Sequence, residues 1–201
     1  MKAFSLAIPL ILSFALGSLA QDQVVMSHTH DITPPEPDSS PLTHAEPTLF
    51  DLLTIEPSVS IFFSYARETK SSRLLVDQKS NITVLVPTNR AVMALARKPH
   101  QDPVPLEDGI EISEQEFDNR SKRNVERWVS LHIIPEAPIF LASHTYPTLA
   151  DGRSVSFKEI EGDATAPEWT RVLLNGEVQI LRMKNASNGV FYLIDGTVVD
   201  E

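Results

Sequence analysis

Apolar positions in this chain follow two different periods, and the change from one to the other divides it. From Thr48 the spacing is helical, with Leu49, Leu52 and Leu53 at i, i+3 and i+4. Thr48 and Asp51 make a capping pair at the start. Pro57 stops this helix and suits the first turn of the next, whose face carries Val59, Phe62, Phe63 and Ala66. A polar turn leads to Leu74-Leu75-Val76. A strand is predicted over Ile82-Thr83-Val84-Leu85-Val86, closed by Pro87. Thr88 then caps a helix with Val92, Leu95 and Ala96 on its apolar face, ending at Pro99. Residues 99–112 are rich in proline and acid and read as a loop. Ser113-Glu114-Gln115-Glu116 is a second capping box, opening a helix that buries Val125, Trp128, Val129 and His132 before Pro135.

The last third changes period. Val155 and Phe157 alternate with polar neighbours, as in a half-buried strand. Asn175-Gly176 predicts a two-residue hairpin joining residues 171–174 to 177–180. Residues 190–194 are apolar on both faces, which predicts a central strand covered on both sides. Asp195-Gly196 turns the chain into Thr197-Val198-Val199. Helices first and strands afterwards predict an α+β fold.

The N-terminus adds a destination. Lys2 precedes an apolar run over residues 3–16, and Ser18 and Ala20 are small where a signal peptidase cuts. The expected signal peptide is 1–20. The run is short of the ~20 residues of a membrane span and contains Pro9, so an uncleaved anchor is the weaker reading. No stable membrane span is expected after cleavage. Residues 21–47 are proline-rich and polar, and predict a disordered lead. Within it His28 and His30 alternate without a third fixed ligand, too little for a metal site. Residues 48–201 form the expected single domain.

Cleavage removes Lys2 and takes the net charge from −10 to −11. That field disfavours nucleic acid and anionic lipid as partners. There is no cysteine, which removes thiolate catalysis, disulfides and thiolate metal sites. A domain of about 150 residues hides roughly 70% of its surface, enough to stand without disulfides. Three sequons fit the secretory route: Asn81-Ile82-Thr83, Asn119-Arg120-Ser121 and Asn185-Ala186-Ser187. A secreted or vacuolar location is expected.

Catalytic signatures are missing: no nucleophile elbow, zinc helix, phosphate loop or dinucleotide fingerprint occurs. No cofactor or metal is predicted. Carboxylates are abundant, so a hydrolase acting through two acids across a cleft is one alternative. A carrier of small apolar ligands, with a cavity between helices and sheet, is another. His132 reads as a core histidine whose ring nitrogens bond nearby backbone.

Three segments, in this order, resemble the fasciclin domain family. Thr83-Val84-Leu85-Val86-Pro87-Thr88-Asn89-Arg90-Ala91 is similar to its first conserved stretch, a strand ending in Pro-Thr-Asn before a helix. Leu131-His132-Ile133-Ile134-Pro135 is similar to its central motif, with Leu131 where tyrosine is usual. Asn188-Gly189-Val190-Phe191-Tyr192-Leu193-Ile194-Asp195-Gly196 is similar to the closing motif, with Tyr192 where histidine is frequent. The resemblance implies a β-sandwich wedge wrapped by helices and a non-enzymatic role in adhesion, binding a protein or glycan of the cell surface or matrix. It further implies structural roles for Pro87, Thr88, Asn89, His132, Pro135, Asn188, Gly189 and Asp195. The Pro87-Thr88-Asn89 turn is the expected partner of His132.

Overall fold

Six consecutive residues, Ile82–Pro87, are buried, so this strand must be covered on both faces. A computed structural model describes residues 46–102 and 113–199. The expected signal peptide, His28, His30 and most of the predicted lead and acidic loop lie outside the described residues. In chain order the helices are α1 (Leu49–Thr54), α2 (Ser60–Ala66), α3 (Ser72–Val76), α4 (Asn89–Ala94) and α5 (Glu114–Leu131). The strands are β1 (Ile82–Pro87), β2 (Ile133–Ile134), β3 (Thr145–Pro147), β4 (Ser154–Glu159), β5 (Val172–Leu174), β6 (Val178–Ala186) and β7 (Gly189–Ile194). A 3-10 turn over Pro57–Val59 leads into α2, with Pro57 at its first position.

All seven strands join one mixed sheet in the order β2-β1-β7-β6-β5-β4-β3, and the fold is α+β. The parallel pair β1–β7 lies near one end, in register from Ile82 against Gly189 to Pro87 against Ile194. The sheet curls until its ends nearly meet: Leu149 N–H, just past β3, donates to the Ile133 carbonyl of β2 at 2.8 Å. The implied wedge is therefore built from a single sheet bent over itself.

Strand alternation sorts side chains into two cores. Leu85, Val190, Tyr192 and Ile194 point inside the curl, meeting Val155, Phe157, Leu174 and Tyr146. Ile82, Val84, Val86, Phe191 and Leu193 point outward, under Leu49, Leu53, Val59, Phe62 and Val129 of the helices. The central, doubly covered strand expected at 190–194 is thus β7. Burying each such side chain contributes about 1.5–3 kcal/mol, so this two-sided arrangement dominates stability.

Local differences from the sequence expectations have identifiable causes. Thr48 and Asp51 do form a reciprocal capping box. At α5, Ser113 accepts the Glu116 N–H at 3.2 Å, but the Glu116 carboxylate is taken by Arg120 and Arg123 one and two turns on. α4 stops at Ala94, well before Pro99, because Lys98 folds back and its Nζ donates to the carbonyls of Met93 and Leu95. Leu95 is only half-buried and Ala96 is exposed. α5 ends at Leu131, leaving His132 as its C-terminal cap, and Trp128 is half-buried. The hairpin loop has three residues: Leu174 pairs with Val178, and Asn175 (φ 49°) and Gly176 (φ 76°) make the left-handed turn. Asn175 Oδ1 also accepts the Ser156 N–H of β4 at 2.9 Å. The folded part reaches back to Pro47, whose carbonyl accepts Ser187 N–H at 2.9 Å.

Candidate functional site

Most of the predicted motif residues tie one element of the fold to another. Asn89 joins α4 to α2: its Oδ1 accepts Ile61 N–H at 2.9 Å, and its Nδ2 donates to the Pro57 carbonyl at 2.9 Å. Thr88 caps α4 through Ala91 N–H, and its own N–H continues the ladder from Pro87 to the Ile194 carbonyl. Asn188 is 1% exposed. Its Oδ1 accepts Leu49 N–H at 2.8 Å, while its Nδ2 faces the carbonyls of Leu74, Leu75 and Asp77 at 3.2, 2.9 and 3.1 Å. One side chain thereby fastens α1 and α3 to the start of β7. Gly189 has φ +147°, and a Cβ there would stand 2.0 Å from the Ile82 carbonyl oxygen. Asp195 Oδ1 accepts Gln179 N–H at 2.8 Å, locking the β7 exit to β6. Pro135 is exposed just after β2.

His132 has no exposed surface. Its Nδ1 lies 2.8 Å from the Trp128 carbonyl, which can only accept, and its Nε2 faces the Val198 N–H at 3.0 Å, which can only donate. The two partners fix one neutral tautomer. Burial pulls its pKa down to about 4, with the Trp128 hydrogen bond opposing. The expected partner turn is not used. Asn89 is committed to α2, and the last described residues of the chain supply the donor instead. Nothing local in the sequence links positions 132 and 198, so this pairing could not be read there.

From His132 a line of rings runs outward. Trp128 lies 4.7 Å from His132, Tyr65 5.8 Å from Trp128, and His100 6.4 Å from Tyr65 between ring centres. Tyr65 and His100 also share a hydrogen bond of 3.2 Å. Trp128 forms part of the wall of a groove of about 290 Å³ with Leu95, Lys98, Asn124 and Val198. Tyr65 lines a second groove of about 580 Å³ between α2 and α5, with Glu68, Thr69, His100, Asn119 and Glu126. These are the candidate binding surfaces.

Two carboxylates of the second groove are occupied. Glu126 accepts Lys70 N–H at 2.8 Å and the Ser71 hydroxyl at 3.2 Å, and Asp118 pairs with Lys122 at 2.7 Å. Where carboxyl pKa values move, they move down: Asp51 through Thr48, Glu56 through Ser58, Glu116 through Arg120 and Asp163 through Thr165. Among the described residues no cluster of histidine and acid side chains could hold a metal. No described helix is long and apolar enough to cross a membrane.

Sequence reasoning missed Glu56. Its side chain is only 10% exposed, yet it takes Arg182 at 3.0 Å and Lys184 at 2.9 Å from β6. Lys184 also lies 5.7 Å from the centre of the Phe191 ring. The sequons separate as well. Asn119 is exposed on α5, and Asn185 is exposed on β6. Asn81 is exposed, but its amide donates to the Ala137 carbonyl and Thr83 is fully buried.

A family model for the fasciclin domain matches residues 57–200. A FAS1 domain-containing protein of Emericella nidulans is 32% identical over 157 residues, covering 76% of this chain and 62% of that protein. One from Aspergillus fumigatus is 40% identical over 98 residues, covering 46% of this chain and 42% of its own. The chain thus spans less than two thirds of the length of these relatives. Among solved structures, a FAS1 domain pair from the insect cell adhesion molecule Fasciclin I superposes with a TM-score of 0.51 at 14% identity. The likeness covers 78% of this chain and 52% of that one.

Proposed function

This chain belongs to the fasciclin domain family, and on that basis we propose that it is a non-enzymatic binding module of the secretory pathway. It is secreted or vacuolar and acts in adhesion, holding a protein or glycan of the cell surface or matrix. Fasciclin domains are associated with adhesion and are generally non-catalytic.

The observation that carries the reading is the commitment of polar groups around the grooves to the fold itself. A hydrolase working through acids needs one carboxyl raised towards neutral pH. Among the described residues the shifted carboxyls all go down, and Glu126 and Asp118 are bound to their own scaffold. An apolar carrier needs space between helices and sheet, where Leu49, Phe62, Phe191 and Leu193 instead pack together. What is left for partners is the surface, in particular the groove beside Trp128.

The test immobilises the full chain, expressed through its own N-terminus, and offers it intact cells and isolated wall or matrix fractions. Retention that falls when residues lining the Trp128 groove, such as the exposed Val199, are changed supports the proposal. Turnover of glycoside, ester or peptide substrates that disappears with Glu68→Gln would refute it.

A further inference from the structure

We propose that Asn119 is an N-glycosylation site whose first sugars lie in the groove between α2 and α5. The inference rests on the secretory reading above and goes on to name one position and one seat. The sequence offers three sequons, of which Asn119, on the polar side of its helix start, reads as the most accessible, and the structure separates them further. At Asn81 the amide nitrogen, the atom a glycan would be attached to, is donated to Ala137, and the Thr83 hydroxyl is sunk onto the Glu136 carbonyl at 2.8 Å. A sugar at Asn81 would have to fit beside these two anchors. Asn185 lies on the exposed side of β6, opposite Val190 of β7, and does not line the described grooves.

Asn119 differs in having a surface waiting beside it. Asn119, Lys122, Arg123 and Glu126 stand at i, i+3, i+4 and i+7 on α5, so they share one helix face. That face forms one wall of the groove, and Tyr65, Thr69 and His100 belong to its lining as well. Its volume of about 580 Å³ lies in the range of ~300–1,000 Å³ usual for small-ligand sites. The half-buried Tyr65 ring, held by His100 and Trp128, offers an apolar face to the C–H side of a sugar. Lys122 and Arg123 supply donors, and Glu68 an acceptor, for its hydroxyls.

The modification joins the amide nitrogen of Asn119 to the anomeric carbon of an oligosaccharide. That carbon leaves the diphosphate oxygen of its lipid carrier, and the amide gives up one proton.

The test expresses the full chain, with its own N-terminus, in a eukaryotic secretory host. It compares the wild type with Asn119→Gln, Asn185→Gln, Ser121→Ala and Ser121→Thr by intact mass and glycopeptide mapping. Asn119→Gln and Ser121→Ala are expected to lose one glycan's mass, and Ser121→Thr to keep it. Enzymatic deglycosylation should then speed amide exchange at residues 66–70 along the groove. A processed chain beginning at Gln21 with bare Asn119 overturns this proposal alone. A chain that retains residues 1–20 and carries no glycan overturns the secretory reading with it. A glycan at Asn119 whose removal leaves exchange at 66–70 unchanged overturns the seat in the groove.

Discussion

Val198 donates its backbone N–H to Nε2 of His132 at 3.0 Å, joining the end of the described chain to the cap of α5. The bond needs a neutral ring, because a protonated Nε2 would turn a hydrogen towards a hydrogen. The folded protein keeps His132 neutral down to about pH 4, whereas in the unfolded chain it binds a proton near 6.5. Between those values the unfolded state holds more protons, so stability falls as pH drops from about 6.5 to 4. The whole gap corresponds to roughly 3 kcal/mol. Urea midpoints measured between pH 7 and 4 should decline in wild type and much less in His132→Gln. Parallel curves for the two proteins would contradict the assignment. The lowered carboxyls, Glu56 and Glu116 among them, lose their contribution only further down, below their ordinary value of 4.5.

Replacing His132 with alanine strands Val198 N–H and opens a void beside Phe62 and Trp128. The expected cost is ~2–4 kcal/mol at neutral pH, seen as a lower melting temperature. An unchanged midpoint accompanied by loss of partner binding would move His132 from the scaffold to a binding site.

Asn188→Ala should be among the most damaging polar substitutions. It leaves Leu49 N–H without its acceptor and three carbonyls without their shared donor, all beside a residue 1% exposed. A loss of at least ~2 kcal/mol is expected in denaturant unfolding. Asn188→Asp should recover little, since it restores the acceptor but not the donor. A shift below 0.5 kcal/mol on Asn188→Ala, of the kind ordinary surface changes give, would argue that water takes over these bonds.

Gly189→Ala tests the parallel pair. The new methyl would meet the Ile82 carbonyl at 2.0 Å, and φ +147° is closed to side chains. β1 and β7 would have to part at their first register position, so we expect a loss above ~3 kcal/mol or insoluble protein. Gly152→Ala is the control: it too has positive φ, but open space around its Cβ, and should cost far less.

Glu56 predicts a measurable coupling. In a double-mutant cycle of Glu56→Gln with Lys184→Met, the interaction energy should be about 0.5–2 kcal/mol, because the carboxylate is buried while Lys184 is partly open to water. A value near zero would reduce the pair to a surface contact.

Much of this fold is written locally. Thr48 and Asp51 announce α1, Thr88 announces α4, and the apolar run at 190–194 announces a strand buried on both sides. What the sequence conceals is distance. Glu56 reads as one more acid in an acidic chain until β6 brings Arg182 and Lys184, 126 and 128 residues away, against it. His132 declares itself a core histidine, yet its partner is 66 residues on, in a segment without a motif. The end of α4 is hidden for a local reason: a lysine side chain that folds back on carbonyls leaves no apolar signal. One groove arises where α2 meets α5 and the other where residues 95–101, α5 and 197–199 come together, so no run of residues encodes them.

The place of β7 also governs the order in which the protein can come into being. It is the last of the described strands, yet it lies between β1 and β6 and completes both cores. Until it emerges from synthesis, β1 has no parallel neighbour, and the helices over it lack Phe191 and Leu193 to pack on. Such non-local pairing delays folding and leaves strand edges open to other chains. Both cores can therefore close only once the chain has been made through β7, when Asn188 reaches Leu49, 139 residues behind it.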